Sequence, residues 1–265
     1  MSNPLVGRAV KQGMRASSAI PSSSELQDMY NRPAYEAPRD TAERVMTYDD
    51  VMMKTLGCFA VLLPCAVVGW FIPVLGIPAV LIGLVFGLIN AFKTEPNKAL
   101  ILAYAGFQGL ALGAISGLFE AQYNGIVIQA VLATLSVFGL MLGLFRLRIV
   151  RLSNKTMKFL MLAVGGYAVF SIVNFMFAAF SGGSMNARSV EINLFGIPMP
   201  LGVLIGVVAV VLASLTLVMD FQMIEHGVQQ QIPERYSWTC AFSLVATLVW
   251  LYIEILRLLS YFRGE

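Results

Sequence analysis

Polar breaks divide this chain into seven long apolar runs. They cover about residues 51–72, a second run ending near Phe92, then about 99–119, 125–145, 159–180, 200–224 and 239–262. Each approaches the roughly 20 residues that a helix needs to cross a bilayer core. The pattern predicts an all-α integral membrane protein, a bundle of seven transmembrane helices. The last run differs from the others. Thr239, Ser243, Thr247, Trp250, Glu254, Arg257 and Tyr261 follow one another at steps of 4, 4, 3, 4, 3 and 4. That spacing puts all seven on one face of a helix. A stripe with two ionisable groups does not face lipid, so this helix is expected to turn it into a bundle or toward water.

The breaks carry their own signals. Thr47 followed by Asp49 and Asp50 reads as a helix start with acids in its first turn. Pro64 predicts a kink in the first span, and Pro73, Gly76 and Pro78 a tight turn into the second. Glycines recur at a spacing of four, at Gly83 and Gly87, Gly109, Gly113 and Gly117, Gly139 and Gly143, and Gly202 and Gly206. In lipid such positions let backbones approach closely, and they are expected to form packing seams. Residues 1–46 hold clustered serines, four prolines and mixed charges. That composition predicts a disordered polar tail ahead of a transmembrane domain at 47–265.

Composition supports the membrane reading. Of 265 residues, 58% are hydrophobic and 12% charged, about half the charged share usual in soluble domains. The first 50 residues lack the apolar core of a secretory signal. Cys58, Cys65 and Cys240 all lie in apolar runs and imply no disulfide framework. The 18 basic residues concentrate in the tail with the start of the first span and in the 93–98, 146–158 and 225–235 loops. Arg188, Arg257 and Arg263 are left for the opposite side. This bias places the N-terminus in the cytoplasm and the C-terminus outside.

Candidate chemistry is sparse. The single histidine, His226, sits beside Glu225 at the end of a span and has no partners spaced for a metal site. It reads either as an interfacial residue or as a tuner of pH response. No nucleophile–base pair, phosphate loop or metal set is visible, so neither an enzyme nor a bound cofactor is expected, nor a nucleic-acid partner. Buried charge is the sharper signal. Asp220 ends a run free of ionisable groups, Leu201 to Met219, and Glu254 and Arg257 lie in the last span. An Asp or Arg at mid-membrane costs about 2.5–3.5 kcal/mol on insertion scales and usually marks an ion or proton path. For the Glu254–Arg257 pair, one turn apart, simple neutralisation is the competing reading. Gln108, Gln129, Asn90 and Asn174 are each expected to make interhelical hydrogen bonds.

Four stretches together resemble one family: MTYDDVMMKT at 46–55, GLALGAISGLFE at 109–120, VMDFQMIEHG at 218–227 and LVWLYIEILRLL at 248–259. They resemble the Bax inhibitor-1 / YccA-like family (transmembrane Bax inhibitor motif proteins), and a bacterial branch of it. The resemblance implies a seven-helix bundle whose last helix is central and wrapped by the other six. It also implies a bacterial plasma-membrane location. Some members act as pH-sensitive calcium leaks sensed by one aspartate in the sixth helix and one in the seventh. Others associate with a membrane-anchored protease, and eukaryotic members restrain cell death.

Residue by residue, Asp220 matches the sixth-helix aspartate, whereas the seventh-helix position falls on Thr247. Glu254 stands seven residues further on, on the same face. The second-helix acid and the arginine beyond it, found in calcium-leaking members, are absent. The leading expectation is therefore a cation leak gated by protonation. Asp220 and Glu254 would be its carboxylates and transient calcium contacts, Thr247 and Ser243 the neutral oxygens between, and Arg257 the neighbouring charge. Gln108, His226 and Glu225 are accessory polar candidates. Calcium enters as the permeant ion, with the lipid bilayer as the constant partner. The alternative is a non-transporting regulator that binds a membrane protease through its tail and basic loops.

Overall fold

The computed structural model describes residues 44–180, 188, 190–194 and 197–263. Among these residues, seven helices are long and apolar enough to cross a membrane. They are α1 (Tyr48–Phe71), α2 (Gly76–Phe92), α3 (Lys98–Gln122), α4 (Ile126–Arg146), α5 (Asn154–Phe180), α6 (Leu201–Gln229) and α7 (Ser237–Arg263). The protein is a multi-pass helical membrane protein. Alternating spans put the 93–97, 147–153 and 230–236 connections on one face, called here the basic face. The 123–125 turn and the end of α7 lie on the other.

Local chemistry sets the helix starts. Thr47 caps α1 through a capping box: its Oγ1 accepts from Asp50 N at 3.2 Å, and Asp50 Oδ2 accepts from Thr47 N at 3.1 Å. Pro64 lies inside α1, which runs unbroken through it. Asn97 caps α3 by accepting from Ala99 N and Leu100 N. At the opposite face Gly125 takes a left-handed conformation, φ 79°, that residues with a side chain rarely adopt. Its N–H and that of Val127 donate to the Glu120 carboxylate at 2.5 and 3.0 Å, so an acid from the end of α3 meets the positive start of α4.

A two-stranded antiparallel hairpin, β1 (Glu191–Leu194) and β2 (Ile197–Pro200), precedes α6, with Glu191 opposite Pro200 and Leu194 opposite Ile197. It was not expected, although the strict alternation of Val190, Ile192 and Leu194 with polar residues is the period of a strand.

Two cores flank α7. On one side Leu251, Leu256 and Tyr252 pack with Ile126 and Ala130 of α4 and Ala213 and Leu217 of α6. On the other, Val245 and Val249 meet Cys58 and Leu62 of α1 and Ile101 and Ala105 of α3. The most apolar stretch of α7 is 61% buried, against 6% for that of α5, which packs chiefly on α6.

The glycine seams hold at three interfaces and fail at one. Gly109 and Gly113 lie against the backbone carbonyls of Leu62 and Ala66, so α1 and α3 touch through their main chains. Gly83 and Gly87 face Gln108 and Tyr104, and Gly202 and Gly206 face Tyr261 and Leu258. Gly139 and Gly143 have open space where a side chain would stand, so the expected seam on α4 is corrected. Gly69, outside the fourfold pattern, joins the α1–α3 contact at Leu110.

The tail expected over residues 1–46 lies mostly outside the described residues. Its last three are held against the α6–α7 loop by backbone contacts. Val45 forms an antiparallel bridge with Pro233, and Met46 N donates to Ile232 O at 2.8 Å. Met46 itself is 2% exposed, seated with Val51, Ile224 and Cys240 and against Gly227. The tail composition continues to Met46, but the fold begins by Arg44. A single apolar side chain with a pocket of its own leaves no compositional trace.

Candidate functional site

On the α7 stripe Thr247 and Glu254 are buried and the other five residues half-buried, and its polar groups fall into two unlike centres. The first surrounds Asp220, which is 1% exposed on α6. Ser243, from the second turn of α7, donates to Asp220 Oδ1 at 2.6 Å. Thr247, one turn further, lies against the same carboxylate without completing a well-formed hydrogen bond. Asp220 Oδ2 is left buried with no donor among the described residues. Cys240 is a further neighbour, and beyond it toward the basic face come Ile224, Met46 and Val51. This apolar group separates Asp220 from the 230–236 loop.

The second centre surrounds Glu254, two turns beyond Thr247 and 3% exposed. Arg257 Nη1 donates to both its oxygens, at 3.0 and 3.2 Å. Arg188 Nη1 approaches Oε2 at 3.5 Å, and the Tyr167 hydroxyl donates to Oε1. Arg188 Nη2 in turn reaches the Tyr167 hydroxyl at 2.7 Å and Ser171 Oγ at 3.4 Å. Burial disfavours the Arg188 charge, but its contacts with Tyr167 and Glu254 more than offset this and hold its pKa above the usual arginine value. Glu254 therefore answers to Arg257 and Arg188, not to Asp220. Eleven residues of helix separate it from Ser243, about 16 Å along the axis.

A cavity of about 860 Å³ extends from the Glu254 centre to Thr247. Glu254, Arg257, Arg188 and Trp250 line it, and so does Thr247, which also lies against Asp220. Among the described lining residues, Thr247 is the one that also touches the Asp220 centre. The arrangement is asymmetric, with the cavity on one side of Asp220 and the Met46 plug on the other.

The accessory candidates fare differently. Gln108 sits beside Gly83 in the α2–α3 interface, outside the cavity lining. His226 is exposed at the basic end of α6. Glu225 pairs with Arg151 at 2.9 and 3.0 Å, clasping the α4–α5 connection to α6. Asn90 makes the expected interhelical bond, to Leu100 O at 3.2 Å, whereas Gln129 is exposed on α4. Asn174 lines the cavity. Among the described residues no three His, Cys, Asp or Glu side chains come together to hold a metal ion.

Sequence reasoning missed Arg188, Tyr167 and Met46. Arg188 had one usable signal: it is an isolated cation on the side that holds almost none.

A family model described as Bax inhibitor 1 like matches residues 7–264, nearly the whole chain. The chain belongs to the Bax inhibitor 1 like family. A search of curated proteins found no match. Family membership thus agrees with the resemblance carried by the four stretches. The site geometry adds a buried aspartate backed by hydroxyls and a glutamate clamped by two arginines.

Proposed function

We propose that this Bax inhibitor 1 like protein is a pH-sensitive cation leak whose control point is Asp220, with calcium as the permeant ion. The observation carrying this reading is the buried Oδ2 of Asp220, which has no donor among the described residues while Oδ1 is held by Ser243. An unpaired buried carboxylate oxygen is costly and is the natural seat of a proton or a passing cation. Calcium takes six to eight oxygen ligands. The Asp220 carboxylate with the Ser243 and Thr247 hydroxyls supplies fewer, which suits transit better than storage.

In this reading Glu254 is not a second free ligand. With Arg257 and Arg188 it sets the charge of the cavity through which the ion reaches Thr247. No catalytic step and no cofactor is assigned. The N-terminus faces the cytoplasm of a bacterial cell and the C-terminus the outside, as the distribution of basic residues supports. The test is calcium flux into liposomes over a pH series, for wild type and Asp220→Asn. Wild type should leak with a pH-dependent rate, and Asp220→Asn should flatten that dependence. Absence of flux in wild type, or an unaltered profile in the variant, refutes the proposal.

One observation favours a regulatory reading beside it. Residues 44–46 are anchored on the α6–α7 loop next to the plug, so a partner holding the preceding tail would pull directly on the seal. A membrane-anchored protease is the partner class for that reading. Deleting residues 1–43 should leave the leak intact and abolish capture of such a protease.

A further inference from the structure

The α4–α5 connection carries charge that the bundle itself does not use. No Asp or Glu occurs between Glu120 and Glu191, whereas Arg146, Arg148, Arg151, Lys155 and Lys158 fall in this one stretch. Among the described residues only Arg151 of the five has an ion-pair partner: it meets Glu225 at 2.9 Å and lies over the Phe145 ring. Leu152 is fixed beside it. Its N–H donates to Gln222 Oε1 at 3.1 Å, and its carbonyl accepts from Gln222 Nε2 at 3.2 Å. The middle of the connection is thus held on α6. Arg146, Arg148, Lys155 and Lys158 are exposed, and their side chains have no partner among the described residues.

The local backbone makes these charges costly as they stand. α4 ends in a Schellman motif, with Arg148 N donating to Phe145 O and Ile149 N to Leu144 O, both at 3.0 Å. Arg148 holds its left-handed position, φ 58°, where glycine is favoured. On the other side of the connection, α5 starts at Asn154 with Lys155 in its first turn, Lys158 just beyond and no acid. The positive end of a helix dipole favours anions, so Lys155 stands where a negative partner is wanted.

Leu147, Ile149 and Phe159 are interleaved with these cations and are 70%, 66% and 71% exposed. Depth favours a bilayer as what covers them. The 21 residues of α4 span about 31 Å, the thickness of a hydrocarbon core, so Arg146 stands at the core boundary on the basic face. A nucleic acid or an acidic protein in water would meet the cations and leave the three apolar side chains bare. The headgroup layer meets both.

We propose that residues 146–159 form a docking surface for anionic phospholipids, with phosphate oxygens on the four unpartnered cations and the three apolar side chains in the acyl boundary. Each basic residue near an anionic surface contributes about a fivefold gain. The proposal does not rest on the leak reading, because lipid preference is measured without flux.

Site-directed quenching provides the readout. Full-length protein with Cys58→Ala, Cys65→Ala and Cys240→Ala carries Asn154→Cys, labelled with bimane, in phosphatidylcholine nanodiscs. Nitroxide-labelled phosphatidylglycerol or phosphatidylcholine is added at equal mole fraction. The anionic lipid should quench with an apparent affinity at least about tenfold higher, and the gap should shrink as salt rises. A second reporter, Thr94→Cys, lies beside Glu95 in the 93–97 connection of the same face and should show little preference. Arg148→Gly should lower the preference at position 154 about fivefold. Glycine suits the left-handed turn better than arginine, so misfolding does not account for such a loss. Lys155→Gln should act in the same direction. Equal quenching by the two lipids, the same preference at positions 94 and 154, or an unchanged preference in Arg148→Gly and Lys155→Gln overturns the proposal. So does loss of the preference to inorganic phosphate at constant ionic strength, which would make the connection a site for a free anion.

Discussion

Replacing Glu254 by glutamine tests the clamp directly. The carboxylate accepts from Tyr167, from Arg188 Nη1 at 3.5 Å and twice from Arg257 Nη1 at 3.0 and 3.2 Å. Glutamine keeps the shape but turns one acceptor into a donor facing guanidinium N–H groups. Removing one partner of a buried ion pair costs about 3–5 kcal/mol. The Arg257 side chain, 31% exposed, can turn toward headgroups, whereas that of Arg188, 5% exposed, cannot. Because Arg257 is relieved in this way and Arg188 keeps its contacts with Tyr167 and Ser171, the loss falls at the lower end, about 3 kcal/mol. For a domain of this size that is a fall of about 6–12 °C in apparent Tm.

Thermal unfolding in detergent, read by a dye that reacts with the buried Cys58 and Cys240 thiols, measures it. Arg188→Gln removes the other partner of the same contact, so the double variant should lose less than the two single variants together, by about 0.5–3 kcal/mol. An unchanged Tm in Glu254→Gln, or a double variant whose losses simply add, would show that the carboxylate is not clamped and would restore it as a free ion ligand.

Two further predictions concern the plug and the seams. Met46→Ala should cost about 2–5 kcal/mol as a buried large-to-small change. With Cys58 and Cys65 replaced by serine, it should also speed labelling of Cys240 by a charged thiol reagent applied to the basic face, and unchanged labelling refutes the seal. Gly113→Val should destabilise by at least about 1–3 kcal/mol, because its side chain meets the Ala66 carbonyl and the backbone must shift. Gly139→Ala meets open space and should stabilise by about 0.5–1 kcal/mol through helix propensity alone. Paired melting curves decide both, and a reversed order refutes the α1–α3 contact.

The spans were legible because lipid permits so few alternatives: about 20 apolar residues in a row have little to do but form a helix that crosses. The stripe was legible because 3.6-residue spacing is printed in the residue order. So was the Glu254–Arg257 contact, one turn apart on a single helix. Arg188 reaches Glu254 across 66 residues, and no periodicity links a loop cation to a helix elsewhere. Tyr167 in α5 looks in sequence like any aromatic facing lipid. Gly139 and Gly143 show the opposite failure: the fourfold spacing marks a surface able to pack, but whether a helix lies there is settled by the neighbours.

The division of the stripe has an electrostatic consequence for any ion crossing this bundle. Asp220 alone would offer a cation a well, and Glu254 and Arg257 line the cavity beyond Thr247. Thr247 and Glu254 are seven residues apart on α7, about 10 Å. At an effective dielectric near 20, loss of one negative charge at that distance raises a monovalent cation's energy by about 1.6 kcal/mol, a roughly fifteenfold depletion, and doubly so in energy for a divalent ion. Flux governed by Asp220 should therefore fall about tenfold in Glu254→Gln and rise severalfold in Arg257→Gln, measured in liposomes of one lipid composition. Equal flux in the two variants would mean that the cavity's charge plays no part in the leak.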